Sequence, residues 1–130
     1  ETPVISQRST DNDRSLVLKI SYGNFSCLLT GDLEGDGMAD ILTRESALAC
    51  TVFKAPHHGS KYAFNERFYL EANPKIVVFS VGKNNFGHPD PGLIAYWQEK
   101  GAALYRTDYD GAVTFLTDGK KLEIKTMGRE

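Results

Sequence analysis

Residues 51–60 read Thr-Val-Phe-Lys-Ala-Pro-His-His-Gly-Ser. Thr51 to Ala55 is a short strand, stopped by Pro56, which has no N–H to give to a sheet. His57 and His58 follow at once, so both imidazoles sit at the C-terminal end of a strand. In open α/β sheets that is where sites form. Successive residues of a strand point to opposite faces. At a strand-to-loop corner, both rings can turn into one pocket.

Upstream, Leu16, Leu18 and Ile20 alternate with Val17, Lys19 and Ser21, the period of a strand. Tyr22-Gly23-Asn24 is a hairpin turn signal. Phe25 to Thr30 is the returning strand, ending at Gly31-Asp32. Residues 7–14 are polar and read as a loop. Residues 33–37 are turn-like. Residues 38–48 suit a helix with Met38, Ile41, Leu42 and Leu48 on one side. Downstream, residues 64–72 form a helix that Asn65 can cap, and Asn73-Pro74 breaks it. Ile76-Val77-Val78-Phe79 is a continuous apolar run, as in a strand buried on both faces. A loop over 82–89 leads to a helix over 91–100 that contains Trp97. Ala103 to Arg106, Ala112 to Leu116 and Leu122 to Lys125 are strands, the last two joined through Asp118-Gly119. The order is β-β-α-β-α-β-α-β-β-β. It predicts an α/β (α+β) protein, residues 1–130 as one domain, with a mixed sheet and about three helices.

Composition agrees with a globular domain. The 130 residues are 41% hydrophobic and 25% charged, unlike a disordered chain. Fifteen Lys and Arg against 17 Asp and Glu give a net charge of −2. A protein that holds duplex DNA mainly by charge is usually basic, so any nucleic-acid contact is expected to be local or aided by metal. No apolar run reaches the ~18 residues of a membrane span, and Glu1-Thr2-Pro3-Val4 does not resemble a signal peptide. No membrane contact is expected from this segment. Cys27 and Cys50 lack CxxC spacing and read as small apolar core residues.

The chain has three histidines, His57, His58 and His88. Imidazole is a common ligand of zinc, copper and iron-type ions and titrates near neutrality. The plain alternative for the pair is a surface loop. Asp32 follows a strand end, a good place for a metal ligand or base; its plain alternative is a turn or helix cap. A rival uses the same residues. Asp32-Leu33-Glu34-Gly35-Asp36-Gly37, with Asp40, has the carboxylate spacing of the first part of an EF-hand-type calcium loop. Thr43 stands where that loop needs its bidentate Glu. Under this alternative the chain is a calcium-binding module with Asp32, Glu34, Asp36 and Asp40 as ligands. His88, between Gly87 and Pro89, is either a structural turn or a substrate-contacting group.

Together these motifs are more specific than each alone. Leu28-Leu29-Thr30-Gly31-Asp32, then Lys54-Ala55-Pro56-His57-His58-Gly59-Ser60, then Ser80-Val81-Gly82-Lys83-Asn84-Asn85-Phe86-Gly87-His88-Pro89 follow in this order. The sequence resembles the C-terminal half of the metallo-β-lactamase-fold hydrolases. It is most similar to the hydrolase domain of ComEC-type DNA-internalisation competence proteins, from about Asn12 to Thr117.

The resemblance implies half of an αββα sandwich with a dinuclear site, zinc or manganese, at one sheet edge. Asp32 would bridge the metals, His58 would be a ligand, and His57 a catalytic or phosphate-contacting group, with the two histidines open to exchange of roles. Ser60, Asn84 and His88 would line the substrate cleft. The family's His-x-His-x-Asp-His motif is missing from this sequence, so the site here is expected to be incomplete. The chain is then expected to be inactive alone, to need an N-terminal half as partner, and to self-associate through an uncovered apolar sheet face. The implied activity is phosphodiester hydrolysis on DNA, single strands included, during competence uptake. A free-standing hydrolase of small phosphoesters such as phosphocholine, and a degenerate half-domain kept for interaction, are alternatives. By family analogy the domain lies on the outer side of the inner membrane.

Overall fold

The structure is a computed structural model that describes residues 11–44 and 47–128. A 3-10 turn over Asp11–Arg14 leads into β1 (Leu18–Tyr22) and β2 (Phe25–Leu29). Then come α1 (Gly35–Leu42), β3 (Val52–Lys54), a 3-10 turn over Pro56–Gly59, α2 (Glu66–Ala72) and β4 (Ile76–Phe79). The chain ends with α3 (Pro91–Glu99), β5 (Ala103–Arg106), α4 (Thr107–Asp110), β6 (Val113–Thr117) and β7 (Leu122–Thr126). The fold is mixed α/β, as the sequence predicts.

Five strands form one sheet in the order β1-β2-β3-β4-β5, and β6-β7 form a separate hairpin. β1 and β2 are antiparallel, with Leu18 opposite Leu29 and Ile20 opposite Cys27. β2 to β5 are all parallel. The core lies between this sheet and the helices. Leu28, Phe53, Val77 and Phe79 of the sheet meet Met38 of α1, Phe68 and Tyr69 of α2, and Leu93 and Trp97 of α3. Phe53 is its aromatic centre, with ring centroids 5.6 Å from Tyr69 and 5.8 Å from Trp97. The Tyr69 hydroxyl donates to the Ala63 carbonyl, so burial leaves no orphaned donor there, and burial pushes its ionisation up.

The other sheet face is thinly covered. Phe115 of the hairpin reaches Tyr105 of β5, centroids 6.4 Å apart, and Asn24 N–H donates to Gly119 O at the β1–β2 turn. Beyond that contact, Leu18, Ile20 and Tyr22 of the edge strand are all exposed. Cross-strand pairing puts them on the side of Leu29, Cys27 and Phe25. Cys27 is therefore half-buried on this outer face rather than in the core; Cys50 is buried, as expected.

The main departure is α1. It begins at Gly35, inside the stretch expected to be a turn, and ends at Leu42, well short of residue 48. Two glycines in the first turn weigh against a helix by propensity, but packing requires them. A Cβ at Gly37 would fall 2.5 Å from Leu33 Cδ1 and 3.1 Å from the Asp13 backbone. Gly37 N–H also donates to Asp13 Oδ1 at 2.9 Å. α4 is a single turn that periodicity does not reveal, so the described residues hold four helices where about three were expected. Residues 45 and 46 of the expected helix, residues 7–10 of the expected loop, and the first four residues lie outside the described residues. α2 and α3 start as expected: Asn65 Oδ1 accepts from Phe68 N–H, and Asp90 caps α3 through Gly92 N–H.

Candidate functional site

The parallel strands β2 and β3 bring Asp32 beside the two adjacent histidines. Thr30 Oγ1 donates to Lys54 O at 2.7 Å, and His57 N–H donates to Gly31 O at 3.0 Å. These bonds lock the two strand ends together. Asp32 N–H donates to Ser15 Oγ, which fixes the start of the turn that carries the carboxylate.

The corner after β3 is built from strained backbone. His57 and His58 have φ of 49° and 56°, followed by Gly59 at 82°. Left-handed conformations in side-chain-bearing residues cost about 1–3 kcal/mol each and collect at functional sites. Here they turn both rings to one side, with centroids 6.2 Å apart. Gly59 sits against the next loop, its carbonyl accepting from Asp90 N–H at 2.8 Å. That clip brings in His88, whose ring lies 5.7 Å from His57 and 6.4 Å from His58. All three histidines of the chain thus form one cluster.

His58 is held with one nitrogen closed and one open. Nδ1 lies 2.7 Å from Ser80 O. A carbonyl oxygen only accepts, so Nδ1 carries the hydrogen. In the neutral ring Nε2 is then a lone pair, and it faces Asp32 Oδ1 at 3.7 Å. Two acceptors face each other across this gap, and both side chains are about half exposed. A backbone carbonyl on the far nitrogen is the arrangement that fixes metal-ligating imidazoles.

His57 pairs differently. Its Nδ1 lies 3.3 Å from Glu34 Oε1 without the alignment of a hydrogen bond, and it is a buried nitrogen with no such partner. Glu34 Oε1 is itself held by Asn12 Nδ2 at 3.0 Å. Burial lowers the basicity of His88, and the neighbouring His57 and His58 lower it further. Lys54, at the end of β3, is lowered by burial, opposed by the charge of Asp32.

Two expected cleft residues are held by local hydrogen bonds. Ser60 is 2% exposed, and its Oγ accepts from Tyr62 N–H, which stabilises the turn. Asn84 organises its loop. Its Oδ1 accepts from the N–H groups of Phe86 and His88, and its amide donates to the carbonyls of Gly82 and His88. The calcium-loop alternative is corrected. Asp36 and Asp40 lie on helix α1 and Glu34 is its N-cap, so this stretch is not a ligand loop. Among the described residues, no group of three or more His, Cys, Asp or Glu is disposed to hold a metal ion.

Glu34 was missed as a partner of His57, and so was the Ser80 carbonyl. The only sequence signal for Glu34 is its place two residues after Asp32, which had suggested calcium.

No family model matches the chain. It is 33% identical to ComE operon protein 3 of Bacillus subtilis over 88% of this chain and 15% of that protein. It is 32% identical to competence protein ComA of Neisseria gonorrhoeae, over 81% of this chain and 16% of that protein. The chain belongs to the family of these competence-type proteins. Recombination protein 2 of Haemophilus influenzae, 28% identical over 88% of the chain and 14% of that protein, matches the same way. The chain therefore spans about a seventh of the length of these competence-type relatives and corresponds to one segment of them. Among the described residues no helix is long and apolar enough to cross a membrane.

Proposed function

We propose that this chain is the C-terminal half of a metallo-β-lactamase-type hydrolase domain that cleaves phosphodiesters during DNA uptake. The observation that carries this reading is the facing pair of acceptors, Asp32 Oδ1 and His58 Nε2, 3.7 Å apart at the ends of two parallel strands. Zinc bonds to oxygen and nitrogen are about 2.0–2.2 Å, so one divalent ion can reach both atoms. The names of the relatives support the link to competence. The remaining metal ligands and the missing half of the sandwich come from another segment of the protein, seated on the exposed side of β1.

Divalent ions bound there would supply a hydroxide at neutral pH and draw charge from the phosphoryl oxygens. Asp32 and His58 hold the metal, and Ser80 O keeps the His58 ring in register for it. His57 stands with its Nδ1 against Glu34 Oε1 at 3.3 Å, which orients the ring. That places a donor beside the cluster for a phosphate oxygen or for the leaving alkoxide. His88, kept neutral by burial and its neighbours, lines the same side without adding charge. Lys54 attracts the anionic substrate toward Asp32. On this reading the domain faces the outer side of the inner membrane, and the segment alone is inactive.

The test is metal content and oligonucleotide cleavage by the intact protein that carries this chain, compared with Asp32→Asn and His58→Ala. The expected result is loss of bound zinc or manganese together with loss of cleavage in both variants. Full metal content and full cleavage in either variant would overturn the assignment.

A further inference from the structure

Phe86 is 83% exposed, a large apolar ring standing in solvent. Its loop is not loose. The Asn84 side chain makes four hydrogen bonds within residues 82–88, two of them to the backbone amides of Phe86 and His88. The loop is clipped to the histidine corner through Asp90 N–H and Gly59 O. The ring of Phe86 has no place in the core. Its ring contact is with His88, centroids 5.6 Å apart and planes 30° from parallel. His88 in turn lies nearly parallel to His58, at 23°. His58, His88 and Phe86 thus follow one another by ring contacts from the Asp32–His58 gap to the loop tip, and Lys83, three residues before Phe86 in the same loop, is exposed.

We propose that Phe86 is a base-stacking residue of this site, a specificity contact that holds one unpaired base of the strand. This rests on the phosphodiesterase reading and extends it. A rigid, exposed aromatic face beside a cationic side chain is how proteins hold unpaired bases, whatever their sequence. In a duplex the base faces are already stacked and cannot meet it. With a phosphate at the Asp32–His58 gap, the ring of Phe86 meets the base of a neighbouring nucleotide.

The experiment measures binding of the intact protein, loaded with manganese, to phosphorothioate oligothymidylate, which resists cleavage, and to an abasic strand of the same length. It compares Phe86→Ala and Phe86→Trp with the parent. Stacking of one base predicts that Phe86→Ala weakens oligothymidylate binding about 5- to 100-fold and leaves abasic binding unchanged. Phe86→Trp retains or tightens it. Equal effects on both strands, or no effect on either, would overturn the stacking role; an equal loss on both would mark Phe86 as a contact to another segment of the protein. Cleavage of unmodified strands by the parent, read separately, decides the hydrolase reading, so the two failures are distinguishable.

Discussion

Asp32 and His58 face each other as two acceptors, carboxylate Oδ1 to imidazole Nε2 at 3.7 Å. The backbone, not a side chain, sets this up, because Ser80 O takes the only hydrogen of the neutral ring. If the pair holds a metal as proposed, removing either partner leaves one donor where a firm site needs three or four in all. Asp32→Asn and His58→Ala are therefore expected to weaken zinc or manganese binding by at least about tenfold, on the scale of lost metal-site interactions. Titration calorimetry on the intact protein reads this. Unchanged affinity in His58→Ala would place the metal elsewhere.

Gly59 carries the corner. Its φ is 82°, and a Cβ there would fall 2.6 Å from Pro89 Cβ and 2.7 Å from Phe79 Cδ1. Gly59→Ala combines left-handed strain of about 1–2 kcal/mol with overpacking of about 1–3 kcal/mol. A loss of about 2–5 kcal/mol in urea unfolding is expected. Gly82→Ala, with open space around its Cβ, is the control and is expected to change stability by less than about 0.5 kcal/mol. Equal effects of the two would show that the Gly59–Pro89 contact is not tight.

What the sequence made legible follows from what local patterns encode. The alternation at Leu18 and Ile20, the Asn65 cap and the apolar run at Ile76–Phe79 are local signals, and each appears as an element where it was read. The corner at His57 and His58 was legible because Pro56 must end a strand and Gly59 follows. The start of α1 was not legible. Gly35 and Gly37 look like turn formers, and their use in a helix depends on Asp13 and Leu33 lying against it. The His57–Glu34 contact was hidden for the same reason: it arises from the parallel pairing of β2 and β3, not from spacing along the chain.

His88 is a base held below its ordinary value of 6.5, first by desolvation and then by His57 and His58. An unfolded chain takes up this proton as pH falls through 6.5, whereas the folded chain takes it up only at lower pH. Stability is thus expected to fall as pH drops below 6.5, and to level off once the folded His88 is also charged. Imidazole proton shifts in NMR, recorded with chelator, follow the group directly. His57→Gln is expected to move the His88 midpoint upward, because one of the neighbouring charges is gone. A His88 midpoint above 6.5 in the parent would contradict this environment.

Burial pushes the Cys50 thiol up to about 12, and Cys27 nearby adds to it. The thiolate is the reactive species, so the folded protein should be alkylated slowly at Cys50 at pH 8. Cys27 is also raised by burial, though it lies on the thinly covered face. Mass spectrometry after iodoacetamide treatment is expected to find Cys50 unmodified in the folded chain and both residues modified in urea. Rapid labelling of folded Cys50 would mean that the sheet–helix interface opens.

The uncovered side of β1 makes the last prediction. Leu18, Ile20 and Tyr22 stand 47%, 48% and 58% exposed on the side of the sheet away from the helices, beside Leu29 and Cys27. An apolar patch on an edge strand also offers unpaired backbone groups to another chain. The isolated 130-residue chain is expected to self-associate through this face. A buried Ile contributes about 1.5–3 kcal/mol, so Ile20→Lys should weaken that association by at least about tenfold, read by sedimentation. In the intact protein the same substitution is expected to lower thermal stability, because on the proposed reading the rest of the domain covers this face there. An isolated chain that stays monomeric, together with an intact protein indifferent to Ile20→Lys, would mean that this face meets solvent in both. The proposal that another segment completes the sandwich would then fall.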